Sequence, residues 1–312
     1  PEFDHGSSDA GSRQSRAART TNTDLAPWVD SSDAGLVQAS MELQGWQGWW
    51  VAGVLCALAA PATAQTAATP PSDRFEGAVG LMAAWRPEYS GADRHSLSLV
   101  PAGFIRYGRI TISGAGGFTT RRDDDVERGL TASLIQRQNF KLGLSLRYDN
   151  GRRESSSTAL TGMGDIGRTV RARVLMRWMP DEHWTLSASS SLDALGNGGG
   201  YVSDVGLARE WRLSPRSTLQ LGAAVTFAGD RYLQTWYGVT AEQSLRSGYP
   251  EYEPEEGMRD VAAGLTLRTE FSREWAGFVG FSASRLVGAA ARSPLVKQPG
   301  SWTASSGLVW RF

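Results

Sequence analysis

The feature that most constrains this chain is a two-residue alternation of apolar and polar side chains, repeated in run after run from Phe75 to Phe312. It is clearest where Phe140, Leu142, Leu144, Leu146 and Tyr148 alternate with Lys141, Gly143, Ser145, Arg147 and Asp149. Side chains of a strand point to opposite faces at period two, so each run is a strand with one apolar and one polar face. The runs are about ten residues long, which is the length a tilted strand needs to cross a bilayer. The last run repeats the pattern at the C-terminus. Trp302, Ala304, Ser306, Leu308, Trp310 and Phe312 share one face, with Thr303, Ser305, Gly307, Val309 and Arg311 on the other. Helical periodicity competes poorly, because Arg171, Arg173 and Arg177 would encircle a helix and leave no clean apolar stripe.

Counting the runs gives about twelve strands, an even number as single-chain bacterial barrels require. Ten is the alternative, if weaker runs such as Ile110–Phe118 and Leu130–Arg137 are not full spans. Short connections (180–182, 214–216, 272–274, with tight turns near Gly108 and Gln138) alternate with long ones over 87–95, 119–128, 150–168, 194–200, 229–258 and 287–300. The expected fold is therefore all-β. It is a single antiparallel, up-and-down transmembrane barrel with short periplasmic turns and long outer loops. The terminal strand should close the ring against Phe75–Trp85. A strand ending on Phe also resembles the terminal signal read by the bacterial barrel assembly machinery.

Composition agrees with this reading. Lys plus Arg equals Asp plus Glu at 32 each, so no net charge points to nucleic acid. Gly at 36 and Trp at 12 are both high for a soluble domain. Glycine eases strand curvature, and Trp favours the water–lipid interface. The chain's one cysteine, Cys56, lies in an apolar stretch ending in Pro61-Ala62-Thr63-Ala64. That stretch is shorter than the ~20 residues of a spanning helix and carries a small-x-small cleavage pattern. Residues 41–64 are therefore expected to be a cleaved signal peptide, although no Lys or Arg follows Met41 in its n-region. Residues 1–40 read as a disordered or non-native upstream segment, 65–73 as a short periplasmic linker, and 74–312 as the barrel.

Catalysis is poorly supported. His95 belongs to an outer loop and His183 to a periplasmic turn, so the two should lie at opposite ends, and neither G-x-S-x-G nor H-E-x-x-H occurs. Asp123-Asp124-Asp125 and the Glu251, Glu253, Glu255, Glu256 cluster read as solvated loops, and neither a metal nor a cofactor is expected. The lumen says more. If the apolar face meets lipid, Lys141, Arg147, Arg171, Arg173, Arg177, Arg268 and Arg311 point inward with Glu76, Asp149, Asp193, Asp260 and Glu270. Trp85, Tyr107, Trp178, Trp184, Trp211, Trp275 and Trp310 fall near strand ends and suit interfacial girdles, with Phe312 as the assembly signal. The 229–258 loop is the richest. It carries Tyr232, Trp236, Tyr237, Glu251 and Glu253, and Thr240-Ala241-Glu242-Gln243 fits a capping box for a short helix stopped by Gly248.

Five segments together resemble the MipA/OmpV family, the MltA-interacting protein group of Gram-negative outer-membrane proteins. They are Gly77–Tyr89, Leu160–Gly167, Arg231–Tyr252, Arg285–Val296 and Leu308–Phe312, in family order. The resemblance implies an outer-membrane barrel with no agreed catalytic residues. It implies partners in membrane lipid, lipopolysaccharide and the barrel assembly machinery. It further implies either a scaffold that brings a lytic transglycosylase to a murein synthase, or a porin-like passage for small solutes.

Overall fold

Twelve alternating segments satisfy their backbone hydrogen bonds by pairing with their neighbours until the last meets the first. A computed structural model describes residues 75–114 and 128–312. Its strands are β1 (Phe75–Pro87), β2 (His95–Tyr107), β3 (Ile110–Ser113), β4 (Gly129–Gln136), β5 (Phe140–Asp149), β6 (Thr169–Trp178), β7 (Trp184–Asp193), β8 (Tyr201–Arg212), β9 (Ser217–Ala228), β10 (Gly257–Glu270), β11 (Trp275–Leu286) and β12 (Gly300–Arg311). Each pairs antiparallel with the next in sequence, and β12 pairs with β1 to close the barrel. Closure leaves no free sheet edge, which a structure surrounded by hydrocarbon requires. Phe312 completes the seam. It exchanges backbone hydrogen bonds with Gly77 at 3.0 and 3.2 Å.

The twelve-strand expectation holds, although β3 extends only over Ile110–Ser113 among the described residues. The proposed signal peptide, the segments around it and Asp123-Asp124-Asp125 lie outside the described residues. Short turns join the strands at one end, and the long connections gather at the other.

The alternation settles as expected. Val79, Leu81, Trp85, Leu144, Leu146, Val174, Leu265, Val279, Leu308 and Trp310 are exposed on the outer wall. Of the expected girdle aromatics, Trp85, Tyr107, Trp178, Trp275 and Trp310 are exposed on that face. Near the short-turn end Tyr107 stacks on Phe75 at 4.7 Å between centroids, Trp310 packs on Phe312 at 5.4 Å, and Trp275 is the register partner of Trp310. Trp178, Trp184 and Trp211 stand at the same end on β6–β8. Trp85 belongs to the long-loop end, where Trp302 stacks on His95 at 4.8 Å and on Phe281 at 6.0 Å. His95 is thus the first residue of β2 rather than a loop residue, and its Nε2 lies 3.0 Å from the Trp302 carbonyl.

Candidate functional site: the lumen and its outer mouth

The inward face of β5 and β6 is a ladder of cations. Their register places Arg147 beside Arg171, Ser145 beside Arg173, and Lys141 beside Arg177. The outward neighbours Leu144, Leu146, Tyr148, Val174 and Trp178 fix this orientation by taking the lipid side. At the top of the ladder Arg171 is 1% exposed; its Nε pairs with Asp149 at 3.1 Å and its Nη2 donates to the Gly199 carbonyl at 2.7 Å. One step down, Arg173 pairs with Asp204 on β8 at 3.2 Å, and Ser189 donates to the same carboxylate oxygen at 2.6 Å. Pairing of this kind offsets the several kcal/mol that burying each ion costs. Arg147, level with Arg171, and Lys141 and Arg177 at the foot of the ladder are half-buried. Arg268 and Glu270 face inward on β10, and Arg311 pairs with Glu270 at 3.2 Å. Glu76 and Asp193 also face the lumen, and Asp193 accepts from the Thr169 hydroxyl.

Two other walls complete the lumen. Strand order sets β11 and β12 across the ring from β5 and β6. There, and on β1 and β2, Ala78, Met82, Ala84, Ala102, Phe104, Ala276 and Val309 form a buried apolar cluster against Val100 and Phe278. Between these walls, the middle of β8–β10 is a bare patch of Gly and Ala, with Asp204, Thr226 and Asp260 above it and Glu210, Gln220 and Thr266 below. Gly206 pairs with Ala224, Ala224 with Ala262, Ala208 with Gly222, and Gly222 with Gly264. A Cβ on Gly222 would meet its nearest neighbour at 3.7 Å and one on Gly264 at 3.4 Å, which are ordinary contacts. These glycines are therefore not demanded by packing. Their effect is to leave space in the lumen.

Over the long-loop end lies a cap. Helix α1 (Asp230–Tyr237) buries Tyr232, Leu233, Trp236 and Tyr237. It packs them on Val202, Ala228 and Leu286, inward-facing residues at the upper ends of β8, β9 and β11, and on Ala289 and Ala290 of α3 (Gly288–Ala291). The Tyr232 ring is held between two guanidinium groups, with Arg171 Cζ at 5.2 Å and Arg259 Cζ at 5.5 Å from its centroid. Arg259 Nη1 donates to the Tyr232 hydroxyl at 2.8 Å, while its Nε pairs with Asp260 at 2.5 Å. Trp236 stacks on Tyr232 at 5.7 Å, and Arg152 Nη1 donates to the Trp236 carbonyl at 2.8 Å. The 194–200 loop approaches so closely that a Cβ on Gly200, whose φ is +52°, would come within 2.7 Å of the Tyr232 backbone nitrogen.

The other outer loops tie into the same cap. Helix α2 (Ala241–Ser247) has the expected capping box, with Thr240 and Gln243 reciprocally bonded, and it ends at Gly248 in the left-handed region. Gln243 Nε2 then donates to the Met163 carbonyl at 2.7 Å. Glu154 accepts from the Gly162 and Gly164 amides at 2.9 and 2.7 Å, and these donors hold its pKa below the usual carboxylate value. Tyr237 donates to Ser90 at 2.8 Å and Tyr89 to the Leu295 carbonyl at 3.0 Å; burial pushes the Tyr89 hydroxyl up to about 12, so it serves as a neutral donor.

Arg171, Asp149 and Tyr232 come together at the mouth of the lumen. Glu251 and Glu253 are exposed and stand apart from that cluster. Sequence reasoning missed α1, although Tyr232/Trp236 and Leu233/Tyr237 carry helical i, i+4 spacing. It also missed Arg259. A register shift between Met258 and Asp260 leaves this residue as the extra member of a β-bulge, free of the strict alternation. His95 and His183 lie at opposite ends of the barrel. Among the described residues, no group of three His, Cys, Asp or Glu side chains is placed to hold a metal ion. A groove of about 930 Å³ between β1, β12, β11 and β10 is lined chiefly by outward-facing residues such as Leu81, Val279 and Leu308, so it belongs to the lipid face.

A closed, girdled ring of strands with its charges turned inward defines an outer-membrane β-barrel. Within that class the chain belongs to the MipA family, whose model, described as MltA-interacting protein MipA, matches residues 79–312. Among curated proteins, the chain is 24% identical over 197 residues to an Escherichia coli protein named "Putative outer membrane protein YiaT", covering 63% of this chain and 74% of that one. Among solved structures, it is similar to an outer-membrane channel from Pseudomonas putida (13% identity, TM-score 0.39, 81% of this chain and 100% of that one). It is also similar to the NanC porin (7% identity, TM-score 0.41, 75% and 100%).

Proposed function

We propose that this barrel is a narrow, capped conduit for small anionic solutes, with the short turns in the periplasm and the cap outside. The observation that carries the reading is the cation ladder Arg147, Arg171, Arg173, Lys141 and Arg177, which runs the length of a lumen whose β8–β10 wall is bare Gly and Ala at mid-height. A pore focuses the field of charges on its wall, so fixed cations raise the local concentration of anions. The bare wall supplies the room, and α1 with its Tyr232 latch controls entry from outside. Purified barrel in planar bilayers is expected to give small, chloride-preferring openings, and Arg147→Gln with Arg177→Gln should shift the reversal potential towards cations. A cation preference in the unsubstituted protein would refute the reading.

A second reading rests on the description of the matched family, which names an interaction with MltA. On it, the barrel anchors a lytic transglycosylase, and through it a murein synthase, at the membrane. The short turns at 108–109, 137–139, 179–183, 213–216 and 271–274 would be the contact surface. Such a rim offers little area beside the ~1,000 Å² or more of a stable interface. Co-purification with the transglycosylase, lost on replacing these turns by Gly-Ser, together with silent bilayers, would favour the scaffold over the conduit.

A further inference from the structure

At the short-turn rim a cation, Arg209, stands on the lipid side of the wall, where the alternation mostly sets apolar residues. Arg209 of β8 is exposed on the same face as Val205, Leu207 and Trp211. Its register partner is Trp184, the first residue of β7. The guanidinium carbon lies 5.1 Å from the ring centroid of Trp184 and 5.1 Å from that of Trp211. Both strands run into short turns here, at 179–183 and 213–216, so the cation sits at the rim of the apolar band. An outward arginine is costly at the bilayer midplane but tolerated near the interface, where Arg209 stands.

The two indoles hold the group in place without supplying a hydrogen-bond acceptor. The carboxylate that acts on Arg209, Asp181, is committed to its own turn. It accepts from the His183 and Trp184 amides at 2.7 and 2.9 Å, and these donors lower its pKa. Towards the midplane, the outward residues Leu186 and Leu207 pair with one another, and Leu221 pairs with Arg209. They form an apolar track directly behind the cation.

A fixed guanidinium fork at the interface, backed by a leucine track, matches an anionic oxygen pair carried on an acyl chain. We propose that Arg209, clamped between Trp184 and Trp211, is a docking site for the phosphodiester of an anionic glycerophospholipid, whose acyl chain lies along Leu186, Leu207 and Leu221. The site is on the outer wall and is independent of whether the lumen conducts.

Native mass spectrometry of the full barrel in mild detergent, titrated with phosphatidylglycerol, tests this. The unsubstituted protein is expected to retain one lipid, with retention falling at least about five-fold in Arg209→Gln and unchanged in Arg285→Gln, an exposed arginine at the opposite rim of β11. Trp184→Leu and Trp211→Leu should each weaken retention, with the barrel's circular dichroism preserved. Retention indifferent to Arg209→Gln, or lost equally in Arg285→Gln, would overturn the proposal. Displacement of the lipid by excess inorganic phosphate would overturn the lipid assignment in favour of a free anion.

Discussion

Replacing Tyr232 by alanine should undock α1 from the mouth of the lumen. The side chain removed makes cation–π contacts to Arg171 and Arg259, accepts a hydrogen bond from Arg259 and stacks on Trp236. Two desolvated cation–π contacts of about 1 kcal/mol each, a stack of about 0.5–1 and a charge-assisted hydrogen bond of about 1.5 sum to roughly 4 kcal/mol. That agrees with the cost of about 3–5 kcal/mol for truncating a buried aromatic. At about 1.4 kcal/mol per factor of ten, even 3 kcal/mol raises the undocked population by about a hundred-fold. Tyr232→Phe keeps the ring and loses only the hydrogen bond, for a rise of roughly ten-fold. Open probability in planar bilayers, recorded for the three proteins side by side, should therefore rank Ala above Phe above unsubstituted. Equal open probabilities, with all three barrels folded, would refute the assignment of Tyr232 as the latch.

Gly222→Trp or Gly264→Trp should leave the barrel folded, because the Cβ position is open at 3.7 and 3.4 Å, yet cut conductance sharply by filling the bare wall. Asp204→Ala should lower stability by about 3 kcal/mol in urea unfolding, because it removes the carboxylate paired with the buried Arg173. Arg173→Gln with Asp204→Asn should recover most of that loss. Glu154 has a lowered pKa in the folded protein, so its contribution is present above the ordinary carboxylate value and is lost as pH falls through the lower folded value. Protection factors of the Gly162 and Gly164 amides should therefore fall selectively under acid, and Glu154→Gln should abolish that pH dependence. Gly162→Ala should loosen the same loop at every pH, since its φ is +86° and the new Cβ would lie 2.7 Å from the Arg246–Ser247 backbone.

The legible parts of this molecule are those written in neighbouring residues. Leu144 between Ser145 and Gly143 tells which way each side chain points, and Thr240 with Gln243 announces a helix start, because both signals act over two to four positions. Arg259 was hidden for the opposite reason. A bulge is an agreement between two strands, and β10 shows its shift only when aligned on β9. The cap was hidden more deeply. Tyr237 reaches Ser90 across 147 positions and Tyr89 reaches Leu295 across 206, so no local pattern in either segment names its partner.

The sequence by itself determined an antiparallel transmembrane barrel and left its count at about twelve strands or ten, which ring closure settled at twelve. Period-two alternation decides the face of every residue before any two strands meet. Only the tertiary structure decided that the cation ladder of β5 and β6 faces the apolar cluster of β1, β2, β11 and β12, and that α1 is clamped into the mouth by Arg171 and Arg259. Those relations depend on register and on ring closure, which set strands six places apart face to face. They are properties of strands taken together, and no single strand encodes them.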